Sequence, residues 1–121
     1  MKRLVVCCDG TWNTPDQAHL ESGGRYEITA AGAWFDASIR STPGGYRNLS
    51  FLQRRTERFR RSAGGLWFEL TGEVDGRTFP IGRATEILAE ADGELVCWAN
   101  DVRIAFGNNS GSVDVTVTRR P

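Results

Sequence analysis

The residues best suited to chemistry lie close together near the C-terminal end. In NDVRIAFGNNSGS, Asn100 to Ser112, the carboxylate of Asp101 is followed seven and eight positions later by the side-chain amides of Asn108 and Asn109. All three offer oxygen. Ca²⁺ takes roughly six to eight oxygen ligands at about 2.3–2.6 Å and accepts carboxylates, amide and main-chain carbonyls and water together. Zn²⁺ prefers sulfur and imidazole. The trio therefore suits calcium as its metal. Gly107 and Gly111, on either side of the amides, would let the backbone turn sharply enough for neighbouring asparagines to face one point despite strand alternation. The same composition, GNNSG, also suits a plain hairpin loop that binds nothing.

Two further groups of residues could recognise a ligand. Arg54, Arg55, Arg58, Arg60 and Arg61 stand against Glu57 in one short segment. Guanidinium forks match phosphate or carboxylate oxygens, and a basic amphipathic helix can lie on an anionic membrane; the alternative is a solvated helix face. Trp34, Phe35, Trp67, Phe68, Trp98 and Phe106 sit in or beside β-rich runs, where aromatic rings normally build the core. Of these, Trp34 and Phe106 are the candidates for stacking on a sugar ring. Cys7 and Cys8 are adjacent and point to opposite faces of a strand, which assigns them to packing rather than to metal.

The elements that must position these residues are short and β-rich. Arg25 to Ala31 alternates, with Tyr26, Ile28 and Ala30 on one face. Gly65 to Leu70, Arg77 to Ile81, Thr85 to Ala89 and Glu94 to Ala99 follow, separated by glycine turns, and Val113, Val115 and Val117 alternate with polar residues. This predicts an all-β fold, an antiparallel β-sandwich or jelly roll. One helix is expected over residues 48–62, where Leu49, Leu52, Thr56 and Phe59 recur at helical spacing. Arg3 to Cys8 reads as a buried strand without an obvious partner, and the polar stretch after it as a linker. The expected organisation is a strand in residues 1–12, a linker in 13–23 and a sandwich domain in 24–121.

Composition narrows the partners. The chain has 121 residues, and Lys plus Arg equals Asp plus Glu at 15 each, so no net field attracts nucleic acid. No apolar run approaches the roughly 18 residues of a membrane span. Three cysteines form no disulfide framework, and with the apolar start too short for a signal peptide the expectation is a cytoplasmic chain, exported if at all by a non-classical route.

Residues 24–118 resemble the small calcium-dependent bacterial lectins of the PA-I galactophilic family. The likeness runs in order through Gly24 to Gly32, Leu66 to Gly82, Asp92 to Asp101 and GNNSGSVDVTV. It implies a Ca²⁺ held by Asp101, Asn108 and Asn109 and by the main-chain carbonyls of Ala105 and Asp36, whose carboxylate is a further candidate. Two sugar hydroxyls would complete the shell, making Asp101 and Asn108 sugar contacts as well. Such family members are often oligomeric. The family also uses a His and a Gln from a loop that here is the Arg-rich segment, so galactose specificity does not carry over. The only histidine, His19, has no counterpart in that site and is expected to be simply exposed.

Residues 3–14, RLVVCCDGTWNT, resemble instead the opening of the α/β-hydrolase-like domain of type VI secretion phospholipase effectors. The Gly-x-Ser-x-Gly elbow that such a hydrolase needs is absent, and Ser110 does not replace it. The reading is a non-catalytic, calcium-dependent carbohydrate-binding module. Its alternative is an accessory or targeting domain of a longer hydrolase that binds a partner, an anionic lipid or a polyanion.

Overall fold

Burial of alternate side chains on two long strands sets the architecture. The computed structural model describes residues 2–7, 18–36, 39–46, 66–100 and 109–121. β3 (Arg25–Asp36) and β11 (Asn109–Arg120) pair antiparallel over their full length, from Asn109 opposite Asp36 to Arg120 opposite Arg25. Tyr26, Ile28 and Trp34 on β3 and Val113, Val115 and Val117 on β11 share the buried face. Arg25, Ala31, Phe35, Asp114 and Arg120 face outwards. Each buried valine is worth about 1.5–3 kcal/mol. A slip of β11 by one residue would expose all three valines, so burial locks the register.

The other elements complete two sheets. β1 (Lys2–Cys7) pairs with the second edge of β11 and adds Leu4 and Val6 to the core. The strand that lacked an obvious partner in the sequence thus finds it at the far end of the chain. β4 (Ile39–Ser41) and β8 (Ala84–Leu88) flank the two ends of β3, giving a five-stranded sheet. In the second sheet β6 (Trp67–Val74) is central. β10 (Val96–Ala99) lies along one of its edges, and β5 (Gly44–Tyr46) and β7 (Arg77–Pro80) lie end to end along the other. β2 (His19–Leu20) and β9 (Gly93–Glu94) form a small separate pair. Ala18 and Leu20, from the polar stretch read as a linker, are buried, and Leu95 N–H donates to Ala18 O at 2.8 Å.

The chain crosses between the sheets at Ser41–Gly44 and at Pro80–Ala84, and one residue secures both crossings. Leu70 N–H donates to Pro43 O at 2.8 Å, and Leu70 O accepts from Ile81 N at 2.9 Å and Gly82 N at 3.1 Å. Between the sheets pack Leu4, Val6, Ile28 and Val115 from one side and Phe68, Leu70, Val74 and Cys97 from the other. The predicted antiparallel β-sandwich is therefore the observed fold. Among the described residues there is no helix; the helix predicted over 48–62 lies outside them.

Two consequences are measurable. Gly45 has φ +77°, and a Cβ there would stand 2.7 Å from Trp67 O and 2.8 Å from Glu69 N. Gly45→Ala is expected to cost at least about 2 kcal/mol in urea unfolding, from left-handed strain plus displaced backbone. Burial pushes the Cys97 thiol from near 9 up to about 12. Above pH 9 the unfolded chain releases this proton while the folded chain keeps it, so the unfolded state binds fewer protons and stability falls as pH rises towards 12. Cys97→Ala is expected to flatten that fall in unfolding free energy, measured between pH 8 and 11.

Candidate functional site

Three strand ends meet where the sequence places its oxygen ligands. β11 begins at Asn109, directly opposite Asp36, the last residue of β3. β10 ends at Ala99, and Asn100, the neighbour of Asp101, follows it fully buried. Asp101, Ala105, Phe106 and Asn108 lie outside the described residues, as do Arg54, Arg55, Arg58, Arg60 and Arg61. The site is therefore read from the residues that flank them. Of the predicted ligands, the structure pairs Asp36 with Asn109.

Asn100 is tied to the second sheet at three atoms. Its O accepts from Phe68 N at 2.8 Å, its N–H donates to Glu69 O at 3.1 Å, and its Nδ2 donates to Leu66 O at 2.9 Å. Phe68 and Glu69 thus both stand opposite Asn100, a β-bulge. Phe68 has φ +58°, a conformation that costs a side-chain-bearing residue about 1–2 kcal/mol. The strain is held by its surroundings. Phe68 O accepts from the buried Trp34 Nε1 at 3.1 Å, and its ring meets Trp34 edge-on at 6.5 Å and Tyr46 at 6.0 Å. Strained backbone of this kind collects at functional sites.

The bulge connects the strand ends to one another. Trp34 lies two residues before Asp36 and opposite Gly111, which has φ +88° and whose Cβ, if present, would stand 3.1 Å from Trp34 Cα. A chain of contacts therefore runs from β11 through Trp34 and Phe68 to Asn100, placing Asn109, Asp36 and the residue before Asp101 at one end of the sandwich. Tyr46 and Leu66, the described residues on either side of the Arg-rich stretch in sequence, also lie here: Tyr46 pairs with Trp67, and Leu66 O accepts from Asn100 Nδ2.

The structure corrects one assignment. Trp34, proposed to stack on a sugar, is 0 % exposed and spends its N–H on the core, so its ring is unavailable to a ligand. Phe35 beside it is 36 % exposed and faces outwards, opposite Ser110 on β11 and Arg40 on β4. The alternation in RYEITAAGAWFD, continued past Ala30, carries this signal: even positions point inwards and Phe35 points out. His19 is exposed on β2, as expected. Among the described residues no group of three or more His, Cys, Asp or Glu side chains could hold a metal. At the opposite end of the sandwich, a cavity of about 200 Å³ between β7 and β8 is lined by Leu20, Val74, Phe79, Ile87 and Leu88, with Arg77 and Glu90 among its residues. It contains none of the predicted ligands.

The two-sheet arrangement has a counterpart among solved structures. A solved structure described as the EclA N-terminal domain, a PllA-like lectin, superposes with a TM-score of 0.76 at 18% sequence identity, covering 99% of this chain and 97% of that one. The likeness drawn from residues 24–118 is matched in the fold, and the matched length takes in β1 as well. No protein-family model and no curated protein matches the chain.

The contact that joins the strand ends can be tested directly. Trp34→Phe removes the donor to Phe68 O and leaves that carbonyl buried and unsatisfied. The expected loss is about 1–3 kcal/mol in urea unfolding, beyond the packing lost with the smaller ring.

Proposed function

We propose that this chain is a non-catalytic carbohydrate-binding module whose site is completed by Ca²⁺. The observation that carries the reading is the convergence of Asp36, Asn109 and Asn100 at one end of a lectin-type sandwich. The donor set fits the ion, because every proposed ligand is oxygen: the side chains of Asp101, Asn108 and Asn109 and the main-chain carbonyls of Ala105 and Asp36. Calcium bound there supplies open coordination positions that accept hydroxyl oxygens. The protein's part is to hold the ligating loop at fixed strand ends. Asn100, immobilised at three atoms, sets where the chain departs towards Asp101, and the valine-locked register sets where it returns at Asn109.

A second reading, an accessory module that docks an anionic partner or lipid, draws support from the Arg-rich segment in the sequence, whose flanking described residues Tyr46 and Leu66 lie at this same end. On that reading the module serves a hydrolase domain in a longer parent protein. A blank glycan array together with salt-sensitive binding to anionic liposomes would favour it, because exposed charge contacts are screened by salt.

Calcium decides the first reading. At 100 times its Kd, a ligand bound only to the folded state stabilises it by about 2.7 kcal/mol, which in a domain of this size raises Tm on the order of 10 °C. Asp101→Ala is expected to abolish that rise. A wild-type melting curve that ignores saturating calcium would sink the proposal.

A further inference from the structure

We propose that the carbohydrate taken at this end is an acidic one, its ring lying on Phe35 and its carboxylate, sulfate or phosphate held by Arg40; the inference rests on the sugar-binding reading above. Phe35 is a large apolar side chain on the outer face of a strand, 36 % exposed. It stands one residue from Asp36, and Ser110, opposite it, stands one residue from Asn109. The neighbours on this face are small: Ala33 on β3 and Ser110 and Ser112 on β11. An aromatic ring among such residues offers the flat apolar surface on which the C–H face of a sugar packs.

Arg40 supplies the charge. It is directly opposite Phe35 on β4 and exposed, and directly opposed side chains share a face with Cβ atoms about 4.5–5.5 Å apart. The ion pairs of the described residues engage Arg3, Arg77, Arg119 and Arg120, with Asp114, Glu90, Glu21 and Glu27. Arg40 has no ion-pair partner among the described residues. A guanidinium fork without an ion pair among the described residues, beside an aromatic surface and next to the end of β3, matches a ligand that is apolar on one face and anionic at one substituent. A neutral sugar would use the ring and leave the charge idle.

The test is calorimetric titration of the full chain in saturating calcium with galacturonate and with galactose, which differ in the carboxylate, at matched ionic strength. The acidic sugar is expected to bind about tenfold more tightly, the worth of one charge-assisted contact. Arg40→Gln should erase that ratio and Arg40→Lys retain part of it. Phe35→Ala should weaken both sugars about threefold to tenfold. Arg40 is exposed, so in Arg40→Gln Tm without calcium and its rise with calcium should stay at the wild-type values, and in Phe35→Ala the rise with calcium should stay.

Equal affinity for the two sugars, no binding of either, a ratio unaltered in Arg40→Gln, or inorganic sulfate competing as well as galacturonate would each overturn the inference. A missing calcium effect on Tm with the acidic preference intact would instead remove the calcium reading and uphold this one.

Discussion

The backbone of Phe68 is the joint on which the candidate site depends. Its N–H reaches Asn100 in the neighbouring strand of its own sheet, and its carbonyl reaches the indole of Trp34 in the other sheet. The two peptide groups flanking one Cα therefore link both layers of the sandwich, close to where three strands end. The left-handed φ at Phe68 is what allows the N–H and C=O to point to these separate partners, since a regular strand would aim both along its own ladder. Its cost is offset by the buried ring, packed against Trp34 and Tyr46.

From that joint outward, the molecule divides its work between core and rim. Val113, Val115 and Val117 hold β11 in register against β3, and the same register decides that Asn109 meets Asp36. Packing at the centre thus determines which oxygen donors come together at the end, although no valine touches them. The open side of each sheet follows similar logic: two short strands share one edge of a long strand, and the crossings between them hang on Leu70. A fold with the ends of several strands anchored in this way can carry different loops at one rim without altering its core.

Much of this was legible in the sequence, and the parts that were not have physical causes. Period-two alternation identified β3 and β11 and the sandwich class, because half-buried strands leave that trace. It could not find the partner of β1: Arg3 pairs with Thr116, a contact between the chain's two ends about which local pattern is silent. The bulge was equally hidden, since Phe68 carries a backbone conformation usually reserved for glycine. Trp34 was a stacking candidate by its nearness in sequence to Asp36, whereas parity assigns it to the core. Its place at an even position with Tyr26 and Ile28 put it inside, and the neighbouring Phe35 took the exposed position.

That exchange separates two functions which a lectin-like likeness tends to merge. Metal binding would depend on strand ends, a buried asparagine and a fixed register, all controlled from the core. Ligand discrimination would depend on what projects from the outer face beside those ends, where Phe35 and Arg40 stand and where substitution costs the core little. A sandwich sharing 18% of its residues with a solved lectin domain can therefore keep the same frame while presenting an unrelated surface to a ligand. Likeness of fold carries no information about that surface; the chemistry of its outward-facing residues does.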